Sequence, residues 1–264
     1  MTHRAKKELG QNFLKSKVAL NKIIEVGELS ATDTVLEIGP GKGALTRALL
    51  DTGCRVLAIE KDADLVTYLQ EIFAPEITSK QLQIVRDDIR TFDFSHYALD
   101  DSRYKLIANI PYYITGEILE LFLAGTHKPE RIVVLVQKEV AQRIVAHDGK
   151  ESILSMSVKV FGTPKLVMNV SKKYFSPAPK VDSAILLITN ITSHLSPVDE
   201  TTFFTLVKTG FAHKRKQLVP NLASLIPKET LSRFLIERGF SPNARAEELS
   251  AEDWVALTTV MKTP

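Results

Sequence analysis

Between Thr34 and Leu50 the chain passes from an apolar run, Thr34-Val35-Leu36-Glu37-Ile38, through a turn with glycine at every second position, Gly39-Pro40-Gly41-Lys42-Gly43, into a helical pattern. A buried strand that ends in a glycine-rich turn and reopens at once as a helix is half of a βαβ unit, and the alternation continues. Arg55 to Glu60 reads as a strand and Asp62 to Phe73 as a helix with Asp62 suited to its N-cap. Leu82 to Val85 and Leu106 to Ile110 look like further strands, Thr115 to Leu123 like a helix, and Ile132 to Val136 is the most strand-like run in the chain. Lys17 to Leu29, with Val18, Leu20, Ile23 and Ile24 at helical spacing, reads as a first helix. Such alternation predicts an α/β fold with a doubly wound, mostly parallel sheet.

After Pro164 the pattern changes. Lys165 to Tyr174 and Val181 to Thr189 are expected to pair as antiparallel strands across Ser176-Pro177-Ala178-Pro179. Beyond Pro197 every apolar pattern is helical, with Pro220, Pro227 and Pro242 as punctuation. A boundary near Ser193 to Val198 divides the chain into residues 1–195, a ligand-binding α/β domain, and 196–264, a small all-helical domain.

Bulk properties narrow the class. A length of 264 residues with 44% hydrophobic content suits one large core and a smaller appended domain. No apolar run reaches the roughly 18 residues of a membrane span, and no signal core follows the basic first residues. Cys54 is the single cysteine, which excludes disulfides within the chain and fits the cytoplasm; the histidines show no metal-ligand spacing. No oligomerisation signal stands out, so a monomer is expected. The net charge of +3 is small, but its distribution is uneven. Arg4, Lys6, Lys7, Lys15, Lys17 and Lys22 face the single acid Glu8, five lysines and no acid fall between Ser152 and Val181, and Lys214, Arg215 and Lys216 follow His213. Each cluster alone is as well explained by a solvated face; together they point to phosphate neutralisation.

The glycine turn predicts a ligand at the strand ends. Glycines let the backbone approach a ligand, Glu60 at the end of the next strand can accept both hydrogen bonds of a ribose diol, and Asp88 beyond the third can accept from an adenine amino group. Spacing decides which nucleoside. Gly39, Gly41 and Gly43 follow G-x-G-x-G, not the G-x-G-x-x-G of dinucleotide sites, and Glu37 would repel a pyrophosphate. A carboxylate there suits the ammonium and sulfonium of S-adenosylmethionine.

Asn109-Ile110-Pro111-Tyr112 follows the fourth strand. An exocyclic adenine amine is a weak nucleophile because its lone pair is delocalised into the ring. The Asn109 side-chain oxygen and the Ile110 carbonyl could hold its two N–H bonds and aim the lone pair for in-line displacement. Pro111 fixes the backbone and donates no competing bond, and Tyr112 offers a ring face to an unstacked base. The plain alternative is a strand, an X-Pro turn and an aromatic core residue.

Gly10-Gln11-Asn12-Phe13-Leu14, Glu37 to Gly43, Asn109 to Tyr112, and Phe175-Ser176-Pro177-Ala178-Pro179-Lys180-Val181-Asp182-Ser183 occur together here. In this combination the chain resembles the ribosomal RNA adenine dimethylase family from about Lys6 to Met261. That family includes bacterial small-subunit dimethyladenosine transferases and resistance methylases acting on large-subunit RNA. The resemblance implies a Rossmann-like methyltransferase sheet and S-adenosylmethionine as cofactor. It implies that Asn12 and Leu14 close over the methionine end, Gly39 and Gly41 line the backbone, and Glu60 holds the ribose. Asp88 with Ile89 would hold the adenine, Asn109 and Tyr112 would position the target base, and Phe175 would stack from the other face. From the residues alone, Phe175 beside three prolines could equally be a buried anchor. Asp87 stands where relatives usually carry glycine, so a register shift would move the adenine contact from Asp88 to Asp87.

Phe211 to Leu218 and Ala244-Arg245-Ala246-Glu247-Glu248-Leu249-Ser250 resemble the small-subunit branch. That branch implies N6-dimethylation of two adjacent adenines near the 3′ end of small-subunit (16S) ribosomal RNA in a pre-ribosomal particle. Lys214, Arg215 and Lys216 are expected on one helix end, gripping phosphates. Two other readings stand beside this one: a large-subunit methylase of the resistance type, and an assembly-checking binding factor with secondary methylation.

Overall fold

The structure is a computed structural model and describes residues 5–6, 9–97, 99, 104–192, 195–213 and 215–262. In chain order its elements begin with β1 (Phe13–Leu14), α1 (Lys17–Gly27), β2 (Thr34–Ile38), α2 (Ala44–Leu50), β3 (Arg55–Glu60) and α3 (Ala63–Ile72). There follow α4 (Ala74–Thr78), β4 (Leu82–Arg86), β5 (Tyr104–Ala108), α5 (Thr115–Leu123), β6 (Arg131–Gln137), α6 (Lys138–Val145) and α7 (Ile153–Lys159). The chain then forms β7 (Thr163–Val170), β8 (Phe175–Ser176), β9 (Ser183–Thr189), α8 (Pro197–Gly210), α9 (Leu218–Leu222), α10 (Lys228–Glu237) and α11 (Ala251–Lys262).

Among the described residues seven strands form one sheet in the order β4-β3-β2-β5-β6-β9-β7. From β4 to β6 every pairing is parallel, and β9 returns antiparallel between β6 and β7. This is the expected doubly wound sheet with the expected antiparallel pair at one edge. β6 is covered on both faces: Ile132 through Val136 are fully buried, each contributing about 2 kcal/mol of apolar transfer. Strand order reverses between β2 and β5, which opens a crevice at the carboxyl ends of those strands.

Local chemistry sets the helix starts. Ser16 accepts from the Ala19 N–H at the head of α1, and Asp62 accepts from the Asp64 N–H at the head of α3. On α1 the buried side is Ala19, Ile23 and Gly27, with Leu20 and Ile24 packed against the core, whereas Val18 is 70% exposed and lies off the expected face. The Gly43 φ of 78° closes the turn before α2, and a Cβ there would stand 2.5 Å from the Phe73 ring. Only glycine fits this connection.

The chain divides into two compact units, 1–141 with 163–191, and 142–162 with 192–264. The expected single cut near residues 193–198 is therefore corrected: 142–162 belong with the C-terminal helices. The reason is packing within that unit. Ser152 and Ser155 form a capping box at the start of α7, which buries Met156 and Val158 and meets α8. Thr192 N–H donates to the Phe161 carbonyl and Glu151 N–H to the Glu247 carbonyl, both at 2.9 Å. Trp254 and Leu257 of α11 are fully buried in this helical unit. Among the described residues no helix is long and apolar enough to cross a membrane.

Candidate functional site

A cavity of about 450 Å³ lies at the carboxyl ends of the parallel strands, entirely within the α/β unit. Its walls come from the segment before and through β1, the turn after β2, the end of β3, residues 87–90 after β4, and residues 109–114 after β5. Asn12, Leu14, Glu37, Gly39, Gly41, Glu60, Asp88, Ile89, Asn109, Ile110, Pro111 and Tyr112 all line it. Residues almost a hundred positions apart in sequence thus share one wall.

Each carboxylate has a distinct setting. Glu37 is 1% exposed, and its Oε2 has no hydrogen-bond partner. Burial, reinforced by the nearby charge of Glu60, pushes its carboxyl up to about 8. A buried acid that lines a cavity and has an unsatisfied oxygen is suited to a cationic ligand group. Glu60 accepts from the Gly41 N–H at 3.2 Å and the Asp62 N–H at 2.9 Å, which aims it while leaving lone pairs for a diol. Burial raises its pKa as well. Asp88 takes hydrogen bonds from Arg90, with Lys61 adding another, and these cations hold its carboxyl well below the usual range. Asp87 also lines the cavity, and its Oδ1 accepts from the Asp88 N–H.

The loop after β5 is anchored on both sides. Asn109 Nδ2 donates to the Asn12 carbonyl at 2.9 Å, which fixes the amide so that Oδ1 remains as acceptor. Among the described residues neither Asn109 Oδ1 nor the Ile110 carbonyl accepts a hydrogen bond. The Tyr112 hydroxyl is bonded to Ser183 Oγ at the buried start of β9, which pins the ring from its far end. Burial raises the Tyr112 phenol above its ordinary value.

Two expectations are corrected. Phe175 does not line the cavity: it pairs with Leu14 across β1 and β8, is 4% exposed and belongs to the hydrophobic core. Its anchor reading is the one the geometry displays. Arg215 and Lys216 are not on a helix end, because α8 stops at Gly210 and α9 starts at Leu218; both lie exposed in the loop between. A Cβ at Gly210 would meet Trp254 at 2.3 Å, so this end of α8 is held against α11. Lys214 lies outside the described residues.

Sequence reasoning missed Lys61 and Arg90, which neutralise Asp88, and Ser183, which holds Tyr112. Ser183 had a signal, since it closes the Phe175–Ser183 motif. It also missed Tyr113, an exposed aromatic on the cavity wall directly after the quoted tetrapeptide.

Sheet order, turn and cavity together define a Rossmann-like methyltransferase. Comparison with known proteins narrows this class. The chain belongs to the ribosomal RNA adenine dimethylase family, whose model matches residues 2–263. Ribosomal RNA small subunit methyltransferase A of Dehalococcoides mccartyi (strain CBDB1) is 42% identical over 97% of this chain and 88% of its own length. The protein of the same name from Thermosynechococcus vestitus is 39% identical over 98% of this chain and 97% of its own. Among solved structures, the 23S rRNA methyltransferase ErmE superposes with a TM-score of 0.80 at 25% identity, covering 96% of this chain and 100% of that one. A dimethyladenosine transferase from Plasmodium falciparum gives a TM-score of 0.77 at 27% identity, covering 93% and 95%.

Proposed function

We propose that this protein uses S-adenosylmethionine to dimethylate N6 of adenines in small-subunit (16S) ribosomal RNA. The substrate is two adjacent adenines near the 3′ end, met in a pre-ribosomal particle in the cytoplasm, and the modification contributes to small-subunit biogenesis. The observation that carries the reading is Asn109: its amide nitrogen is tied to Asn12 and its oxygen is left as an acceptor on the wall of a cavity lined by Glu37, Glu60 and Asp88.

The donor set fits the cofactor. Glu37, buried with a partnerless oxygen, would take the ammonium; Glu60 would take the ribose hydroxyls; Asp88 with Ile89 would take the adenine, and Asn12, Leu14, Gly39 and Gly41 would enclose the rest. When bound, S-adenosylmethionine supplies a methyl group made electrophilic by its sulfonium. Asn109 Oδ1 and the Ile110 carbonyl accept the two N–H bonds of the flipped target amine and orient its lone pair. Tyr112, pinned by Ser183, offers its ring to the base. No strong base is required, because the amine becomes acidic on methylation and its proton passes to water. Arg215 and Lys216 of the helical unit would grip phosphates.

The branch rests on the 39–42% identity to small-subunit methyltransferases against 25% to the 23S enzyme. The fold likeness to that enzyme keeps a large-subunit target as the second reading. Transfer of labelled methyl groups to small subunits lacking the modification, with mature large subunits in parallel and nucleoside analysis of the product, tests both. Dimethyladenosine from small subunits alone is expected; label in the large subunit moves the protein to the other branch. No label on either, despite firm binding to small subunits, would leave an assembly factor. In the same assay Asn109→Ala should cut kcat by about 100-fold or more while cofactor affinity stays within about threefold. An equal collapse of binding would make Asn109 structural.

A further inference from the structure

We propose that Lys6, Gln11 and Asp62 are positioning residues: they hold residues 9–14 as a wall of the cavity and so set the orientation of the Asn109 amide and of Glu60. Asp62 caps α3 through its Oδ1, which is the local reading of its type, but its carboxylate does more. Its Oδ1 also accepts from Lys6 Nζ at 2.6 Å, and its Oδ2 accepts from Gln11 Nε2 at 2.9 Å. Lys6 reaches Asp64 as well, at 2.8 Å. The Lys6 backbone N–H in turn donates to Gln11 Oε1 at 2.8 Å, which ties Lys6 to Gln11 a second time.

The contact differs from an ordinary surface ion pair. Asp62 is 2% exposed, so its negative charge depends on the cation that faces it. Both ends of the network meet the site. On one side the Asp62 N–H donates to Glu60 Oε1, and Glu60 Oε2 accepts from Gly41. On the other, Gln11 is followed by Asn12, whose carbonyl accepts from Asn109 Nδ2 while its own side chain donates to the Gly10 carbonyl at 3.0 Å. A path of hydrogen bonds, joined through the backbone of Asp62 and the Gln11–Asn12 peptide bond, therefore runs from Glu60 to Asn109. Breaking the Lys6–Asp62 contact frees the segment that fixes the Asn109 amide, without removing any group that touches base or cofactor.

The kinetic part of the test rests on the methyl-transfer reading above; the exchange part does not. In the full chain, Lys6→Met should speed amide hydrogen exchange in residues 9–14 about tenfold and leave β5 and β6 unchanged. Lys6→Arg, which keeps the charge, should return the wild-type rate. Calorimetric titration with S-adenosylhomocysteine should show about fivefold weaker binding to Lys6→Met. In methyl transfer kcat should fall about tenfold with KM for the small subunit unchanged, because the Lys6 ammonium is engaged by Asp62 and Asp64 and not by phosphate. Wild-type exchange rates in residues 9–14 of Lys6→Met would overturn the proposal. So would faster exchange with affinity and kcat both intact, since the segment would then position nothing. If the wild-type enzyme transfers no methyl group to any adenine, the proposed function falls, and exchange with the S-adenosylhomocysteine titration decides this proposal alone.

Discussion

Glu37 sits at the end of a parallel strand, 1% exposed, in a cavity that holds a second carboxylate at Glu60. Its carboxyl, moved by burial from the ordinary 4.5 to about 8, takes up a proton when the chain folds near neutral pH. A group whose folded pKa is raised stabilises fully below its unfolded value and loses that contribution as pH rises through the folded value. The stabilisation from proton uptake is thus complete below about 4.5 and gone above about 8, a swing of at most about 5 kcal/mol. Glu60, raised by the same cause, slopes the same way. Urea unfolding of wild type and Glu37→Gln at about pH 5.5 and about pH 8.5 should show the wild type losing stability relative to the variant as pH rises. A parallel pH dependence would mean that Glu37 is ionised in the folded protein. Burial with one oxygen left unsatisfied is thus a poor arrangement for stability but a good one for a site that takes a cation.

At the scale of elements, legibility followed the range of the interactions that make them. β2, β3, β6 and α5 were readable because apolar runs and period are local, and Asp62 could be recognised as an N-cap from its place before α3. α7 was missed although Ser152 and Ser155 cap it, because its seven residues give less than two turns of periodicity. β1 and β8 could not be read at all: two residues each, they exist only through pairing with one another. That pairing buries Phe175, which is why a residue expected to stack on a base became part of the core. The turn before α2 is the element whose sequence logic was strictest. Gly43 combines a φ of 78° with a Cβ position 2.5 Å from Phe73. Gly43→Ala should therefore cost about 2–4 kcal/mol, from backbone strain and overpacking together, and lower the thermal midpoint accordingly. A midpoint within a degree or so of wild type would show that Phe73 yields freely.

At the scale of the whole molecule the catalytic geometry and the affinity for RNA call on different physics. The walls of the cavity are set by hydrogen bonds between residues such as Asn12 and Asn109, or Gln11 and Asp62, which no pattern in sequence announces. Charge is the reverse case: visible in composition, but without a stated place. A net charge of +3 on 264 residues is too small to hold RNA by itself, so affinity has to come from local clusters that displace counterions. Arg215 and Lys216 are suited to this: exposed, on a loop between α8 and α9, and without an ion pair among the described residues. Each phosphate contact contributes about 0.7–0.9 to the slope of log affinity against log salt. Replacing both residues with alanine should reduce the slope for small-subunit RNA by about 1.5 and weaken binding, most at low salt. At saturating RNA kcat should hold, because neither residue lines the cavity. Filter binding across a salt series, set beside single-turnover methyl transfer, separates the two quantities. An unchanged slope would place both charges in solvent and return the search for the phosphate-gripping surface to the lysines of the α/β unit, among them Lys15, Lys172 and Lys173.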